Sequence, residues 1–283
     1  MAQATLSIGG HTVILSGGSS VDMAMSLPGM KVFECAEAEV SMQWHLDSVI
    51  AAMECRWIHE FDVSDGAVHC RFGVDAQGGY HYDFGSCGRL HYMEGDGVYI
   101  SPMSNASVMR FALWTAFAMM GMAVGAVPVH SSVVVCEGKA VMCLGESGTG
   151  KSTHTRLWLE NIDHTNLLND DSPIIAIHGD KVRVYGSPWS GKTHCYRQES
   201  FPIAGLLRLE QRKENTIRRL RVLEAFAALQ PSCPPSMAKD EHCLDLLVQF
   251  ISNVIEHVPV YRMGCLPNAE AAQLSHETLM PWK

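Results

Sequence analysis

The segment Gly145-Glu146-Ser147-Gly148-Thr149-Gly150-Lys151-Ser152 decides the fold, because it fits the G-x-x-x-x-G-K-[S/T] pattern (Walker A) of a phosphate-binding P-loop. An apolar run at 140–144 predicts a buried strand before it, and 153–161 predicts a helix after it. Backbone N–H groups of such a loop surround phosphate oxygens, and the helix N-terminus adds positive potential. We therefore predict that Gly145 to Thr153 bind a nucleotide, with Lys151 at the phosphates and Ser152 at Mg²⁺.

A second segment, Gly186-Ser187-Pro188-Trp189-Ser190-Gly191-Lys192-Thr193, fits the same pattern in a different context. Pro188 has no N–H to offer, Trp189 adds bulk where backbone must approach a phosphate, and no helical pattern follows. We therefore expect no nucleotide there. Two alternatives remain open. One is an active-site loop in which Lys192 and Arg197 donate to the transferred phosphoryl group or to an anionic acceptor; the other is a solvent loop with Trp189 packed on the surface.

Composition limits the classes of function. The chain has 283 residues, 47% of them hydrophobic and 18% charged, which is typical of a globular protein with an ample core. The net charge of −9 argues against nucleic acid or an anionic membrane as partner, so small molecules or proteins are expected, and homo-oligomerisation is left open. The apolar stretch 111–129 is interpreted as a buried helix. Ten cysteines without a C-x-x-C pair or an export signal predict reduced thiols and a cytoplasmic location.

Two domains are predicted, 1–103 and 104–283. The first is rich in strands and turns, with a hairpin around Gly9-Gly10 and an antiparallel meander from 58 to 84. Its histidines lie mainly in sequence typical of strands, and no catalytic or metal site is expected there. Ser104 or Asn105 caps a helix that runs to about Met120. The second domain then mixes strands joined by tight turns with the P-loop, which predicts an α/β (mixed α+β) fold whose sheet is partly antiparallel. Its last third is predicted to be more helical, with helices at 215–229, 239–257 and 268–278 and a strand at 258–263.

The Asp170-Asp171 pair and His130 are further candidates for catalytic residues. Asp170 and Asp171 follow an apolar strand after the P-loop helix; before a proline such a pair is often only a turn, but here one carboxylate could hold Mg²⁺ and the other accept a proton from a hydroxyl. His130 precedes the P-loop by one strand, a tight turn and a second strand, so we expect it to lie near the loop as a proton partner, metal ligand or phosphate donor. The basic residues around Arg208 and Arg218 are either a solvated face or a docking site for phosphates or an acidic partner.

His130-Ser131-Ser132, the P-loop and the Asp pair together resemble the HPr kinase/phosphorylase catalytic domain and the phosphoenolpyruvate carboxykinases that share its fold. The resemblance covers about 104–209, and the plan of a β-rich N-terminal part before a kinase part resembles small HPr-kinase-related proteins of bacteria. It implies that Lys151 and Ser152 bind phosphates and metal, with Asp170 as the base, Asp171 as the metal-side carboxylate and His130 beside them.

The resemblance implies an ATP-dependent kinase that uses Mg²⁺, or Mn²⁺ as an alternative, to phosphorylate a serine-type hydroxyl on a protein, peptide or small metabolite. Two departures keep alternatives open. Arg110 stands in the helix where carboxykinases carry a metal-ligating Lys, and Thr153 stands where HPr kinases have Glu. A decarboxylating phosphotransferase of the carboxykinase type and a non-catalytic ATP-responsive module therefore remain as rivals.

Overall fold

In the computed structural model, which describes residues 1–36, 39, 41–63 and 66–280, the chain forms two units. One comprises Met1–Val124 with Ser236–Leu244, and the other comprises Gly125–Pro235 with Asp245–Lys283. The division therefore falls after the helix Ala106–Ala123, whereas the sequence placed it before that helix. The reason is packing, because the helix lies against two strands of the N-terminal sheet.

The N-terminal unit is built on one twisted sheet. Its strands within the described residues are β1 (Ala2–Ile8), β2 (His11–Gly17), β3 (Met42–His45), β4 (Cys55–Val63), β5 (Val68–Asp75), β6 (Tyr80–Asp83), β7 (Arg89–Met93) and β8 (Gly97–Ile100). They are ordered β1-β2-β3-β8-β7-β6-β5-β4. The predicted hairpin and meander are confirmed, since β1 pairs with β2 and β4 to β7 pair in succession, all antiparallel.

Two helices accompany this sheet, α1 (Ser19–Ser26) and α2 (Ala106–Ala123). The Asn105 side chain caps α2 by accepting from the N–H groups of Ser107 and Val108, so the predicted cap is confirmed. Helix α2 is long and apolar enough to cross a membrane by length and composition, but 61% of it is buried in the fold, as in the core helix of a globular protein.

The C-terminal unit combines a mixed sheet with helices. Its strands are β9 (Ala126–Pro128), β10 (Ser131–Cys136), β11 (Lys139–Leu144), β12 (Thr165–Asp171), β13 (Ile174–His178), β14 (Lys181–Tyr185), β15 (Ser200–Gln211), β16 (Thr216–Arg219) and β17 (Val260–Cys265). The main order is β12-β10-β11-β15-β14-β13-β9, and β17 pairs with both β15 and β16. Among the described strand pairs of this unit, only β11–β15 and β15–β17 are parallel, so the predicted partly antiparallel α/β sheet is confirmed.

The remaining helices are α3 (Lys151–Asn161), α4 (Val222–Leu229), α5 (Glu241–His257) and α6 (Ala269–Leu279). Helices α3 and α6 pack together, and Trp158 of α3 is buried in a cluster with Val141, Cys143 and Leu207 of the sheet. Burying these apolar side chains is the main stabilising contribution, roughly 1.5–3 kcal/mol for each large side chain. This core packs α3 against the sheet that contains β11.

Two sequence predictions are corrected. The helix predicted at 215–229 begins only at Val222, because Thr216–Arg219 is strand β16, whose backbone pairs with β17. The strand predicted before the tight turn is β10, but it begins only at Ser131, after His130, and a further strand, β9, precedes it at Ala126–Pro128. The predicted cap Asn268 on α6 is confirmed by its bond from the N–H of Ala271, and all ten cysteines are free thiols.

Candidate active site

The P-loop connects β11, which ends at Leu144, to α3, which begins at Lys151. Gly148 has a φ of 79°, a left-handed conformation that a residue with a Cβ adopts only with strain. The first N–H groups of α3 have no acceptor within the helix, so they are available to an anion. The strand–loop–helix context that the sequence predicted for Gly145–Ser152 is therefore present.

Lys151 lies buried at the centre of the site. Its Nζ donates to the carbonyls of Gly145 at 2.7 Å and Glu146 at 3.2 Å, and to Nε2 of His130 at 3.0 Å. Burial lowers the pKa of Lys151, and Arg208 acts in the same direction, whereas the carboxylates of Asp171 and Glu146 oppose the shift. An anionic phosphate would compensate the charge that burial disfavours.

His130 joins the P-loop lysine to the acidic pair. Because a lysine ammonium only donates, Nε2 of His130 accepts from Lys151, so Nδ1 carries the proton and faces Oδ1 of Asp171 at 3.2 Å. Strand register explains the proximity: β10 begins next to His130, with Ser131 opposite both Leu144 of β11 and Asp171 of β12. The expectation that His130 lies near the loop is confirmed.

Asp170 occupies a different place from its neighbour. It is buried, and its Oδ1 accepts from the Ser152 hydroxyl at 2.9 Å, whereas Asp171 is about half exposed beside His130. Successive side chains of a strand point to opposite sides, which separates the two carboxylates. A hydroxyl and a carboxylate oxygen at this spacing are hard donors of the kind Mg²⁺ prefers.

The second loop is buried against the acidic pair. Trp189 is only 2% exposed, so the alternative in which it packs on the surface is wrong. The N–H of Gly191 donates to the carbonyl of Asp170 at 2.7 Å. Lys192 is exposed at the rim, and Arg197 pairs with Glu199 at 3.6 Å.

Asn169 and Ser187 organise this junction, and sequence reasoning missed both. The fully buried Asn169 amide donates to Trp189's carbonyl at 3.2 Å and to Ser187's hydroxyl at 3.3 Å, and its oxygen accepts from the N–H of Ser172. The Ser187 hydroxyl donates to the carbonyl of Ser172 at 2.6 Å. An Asn directly before the Asp pair was the signal available in the sequence.

Strand β15 braces the P-loop from the other side. Arg208 donates through Nη2 to Glu146 at 2.6 Å, and Gln211 donates to the carbonyl of Gly148 at 3.1 Å. Nη1 of Arg208 is buried and has no hydrogen-bond partner among the described residues, so this guanidinium retains a donor next to the loop. Arg208 therefore belongs to the candidate site. Arg218, from the same basic segment, instead pairs with Glu224.

A cleft of about 380 Å³ borders the P-loop. Its volume is within the range of small-molecule sites, and apolar side chains form part of its walls. The lining residues are Gly148, Thr149, Gly150, Thr153, His154, Leu157, Gln211, Arg212, Cys265, Leu266 and Pro267. Ser147 is exposed at the tip of the loop. The predicted loop residues therefore lie between this cleft and the Lys151–His130 cluster.

Comparisons with known proteins add little to this geometry. No protein-family model matches the sequence, and no curated protein matches it. One solved structure that resembles it is the Hpr(Ser) kinase/phosphatase from Coxiella burnetii, at 12% identity and a TM-score of 0.30, covering 54% of this chain and 92% of that one. Similarity at this level does not assign a function to this chain.

Proposed function

We propose that this protein is an ATP-dependent kinase that transfers the γ-phosphoryl group to a hydroxyl, with Mg²⁺ as cofactor. One observation supports the proposal above the others: two adjacent P-loop residues are linked to the two adjacent carboxylates, Lys151 through His130 to Asp171 and Ser152 directly to Asp170. In phosphoryl transfer catalysis consists mainly of positioning and charge neutralisation, and these are the groups required.

The phosphates would bind to the free N–H groups at the start of α3 and to Lys151, with Arg208 adding its unused donor. Lys151 already has three acceptors, so a phosphate oxygen would replace one of its bonds to the Gly145 and Glu146 carbonyls. The adjoining cleft, with Leu157, Leu266 and Pro267 on its wall, is of a size and polarity suited to the base and ribose.

The contacts favour exchanging the roles that the sequence prediction gave to the two carboxylates. Asp170 touches the Ser152 hydroxyl, so Asp170 and Ser152 would hold Mg²⁺, which supplies neutralisation of phosphate charge. Asp171, more exposed and oriented by His130, would accept the proton of the acceptor hydroxyl. The hydroxyl oxygen then bonds to the γ-phosphorus, the bond from that phosphorus to the bridging oxygen breaks, and ADP leaves.

The second loop would face the acceptor. In this loop the N–H of Gly191 donates a hydrogen bond to the carbonyl of Asp170. Lys192 is the next residue after Gly191 and therefore lies beside the acidic pair. Lys192 is proposed to bind an anionic group of the acceptor or the transferred phosphoryl group. Arg197 is proposed to assist after exchanging its ion pair with Glu199 for the ligand.

The test measures ADP release from MgATP by the purified chain with a panel of serine-containing peptides and small hydroxyl compounds, beside Lys151→Ala. We expect acceptor-dependent ADP release that the variant lacks, and an equal rate in the variant would overturn the proposal. A thermal shift with MgATP but no ADP with any acceptor would identify a non-catalytic module. Nucleotide-dependent release of carbon dioxide from oxaloacetate with Mn²⁺ would identify a carboxykinase-type enzyme.

The exchanged carboxylate roles have a separate test. Asp170→Asn should raise the Mg²⁺ concentration needed for half-maximal activity, whereas Asp171→Asn should lower kcat, by roughly 10²–10⁴-fold, with the Mg²⁺ dependence unchanged. The opposite pattern would restore the assignment predicted from the sequence.

A further inference from the structure

Three side chains on neighbouring strands of the N-terminal sheet converge on one point. They are Asp75 at the end of β5, His81 in β6 and His91 in β7. Their ligand atoms, one carboxylate oxygen and two ring nitrogens, all lie within 4.8 Å of one another. Nε2 of His81 is 2.7 Å from Oδ2 of Asp75 and 3.1 Å from Nδ1 of His91.

The backbone builds this convergence. His81 and His91 are direct cross-strand partners, so their imidazoles share one face of the sheet. The other oxygen of Asp75, Oδ1, accepts the N–H groups of Gln77 at 2.8 Å and Gly79 at 2.9 Å, which directs Oδ2 at the histidines. These bonds orient a ligand in the way that outer-shell partners do in metal centres.

Gly79 is required by the same arrangement. A Cβ at this position would lie 2.7 Å from Oδ2 of Asp75 and 2.7 Å from Cε1 of His91. Any side chain would therefore push the carboxylate and the second imidazole apart. A glycine at this turn therefore lets all three groups approach one another. An isolated Asp75–His81 pair would not require space beside His91.

Hydrogen bonds between the three side chains cannot satisfy both short distances at Nε2 of His81. A proton on Nε2 of His81 lies in the ring plane and can point well at only one of its two close neighbours, Oδ2 of Asp75 or Nδ1 of His91. A divalent cation would accept a lone pair from all three atoms. Tetrahedral bonds of about 2.0–2.1 Å place ligand atoms roughly 3.3 Å apart. The separations of 2.7 Å and 3.1 Å at Nε2 of His81 would therefore open by roughly 0.6 Å and 0.2 Å.

We propose that Asp75, His81 and His91 bind one divalent transition-metal ion of the Zn²⁺ type, with water as the fourth ligand. Two imidazoles and one carboxylate favour such an ion over Mg²⁺ or Ca²⁺, which prefer all-oxygen sites. Asp75 and His81 are buried and His91 is half-buried, so the open position lies on the side of His91. The ion would clamp β5, β6 and β7 together, and it is separate from the Mg²⁺ of the proposed kinase reaction.

The experiment titrates Zn²⁺ into the full chain after chelator treatment, in competition with a chromophoric chelator. His91→Gln and His81→Asn should weaken the tightest site by at least about 100-fold. His69→Ala is the matched control, because His69 lies in β5 of the same sheet but is 60% exposed and pairs with Asp62 and Glu60. It should leave the affinity unchanged.

Two further measurements test whether a variant has merely lost its fold and whether a cysteine thiolate, rather than this cluster, binds the metal. Co²⁺ bound in place of Zn²⁺ should give visible bands of a nitrogen and oxygen site without a thiolate charge-transfer band, and His91→Gln should lose them while keeping the wild-type circular dichroism. Zn²⁺, but not Mg²⁺, should raise the Tm of the wild type more than that of His91→Gln. Equal Zn²⁺ affinity in the wild type and His91→Gln, or a thiolate spectrum, would show that the cluster is only a packed hydrogen-bond network.

Discussion

The loops 145–152 and 186–193 share one sequence pattern but have different structures. The first leaves a buried strand and enters α3, and Nζ of Lys151 donates back to the carbonyl of Gly145 at the start of the loop. The second turns back on β12, where Trp189 is buried and Gly191 donates to Asp170. The same pattern is therefore followed by a helix in one loop and by coil in the other, and the proposed phosphate site depends on the helix.

The largest expected effect separates the two lysines. Lys151→Ala should lower kcat/KM for ATP-dependent phosphorylation by about 10³-fold, because it removes the buried charge that would neutralise the phosphates in the proposed reaction. Lys192→Ala should lower it much less, through the KM of the acceptor. Steady-state kinetics of both variants check this, and equal losses would show that the second loop also holds the nucleotide.

A buried histidine in α3, the helix that follows the first loop, should make the stability of the protein depend on pH. Burial lowers the pKa of His154 in α3 to about 4, from an ordinary value of 6.5, and its ring contacts Ser275 and Trp158. Between these two values the unfolded chain binds a proton that the folded chain excludes, so the free energy of unfolding falls as pH falls from 6.5 towards 4. The loss from this residue is up to about 3 kcal/mol.

Urea unfolding at several pH values measures this effect. His154→Gln is the control, because glutamine keeps polar atoms near Ser275 but does not titrate in this range. Its stability should fall less between pH 6.5 and 4 than that of the wild type. Parallel profiles for the two proteins would contradict a neutral buried histidine.

Glycine substitutions should distinguish the loops more modestly. Gly186→Ala places a Cβ against the carbonyl of Arg197 and should cost about 1–3 kcal/mol of stability through steric overlap. Gly148→Ala meets no atom within 4 Å, so only its positive φ opposes it, at about 1–2 kcal/mol. Thermal unfolding measures both, and a larger cost for Gly148→Ala would mean that the P-loop is the more tightly packed of the two.

The smallest expected effect concerns the brace between the P-loop and β15. Glu146 is 71% exposed, so Glu146→Gln should change stability by less than about 1 kcal/mol despite its 2.6 Å contact with Arg208. It should also tighten nucleotide binding, because Arg208 is released to the phosphates. Binding of a fluorescent ATP analogue measures this, and weaker binding would show that the ion pair instead shapes the loop.

The sequence by itself determined the features that depend on neighbouring residues. The P-loop with its strand and helix, the turn at Gly9-Gly10 and the caps Asn105 and Asn268 could be predicted, because short-range hydrogen bonds and glycine conformations specify them. The proximity of His130 to the P-loop was also predictable, since one tight turn returns the chain.

Only the tertiary structure decided which distant residues meet. Strand β16 resembles a helix in sequence but pairs with β17, more than forty residues away, and such pairing overrides local preference. The contacts of Asn169 with the second loop, and the convergence of Asp75, His81 and His91, likewise depend on strand register. A shift of one residue would turn these side chains to the other face, so no short stretch of sequence could reveal them.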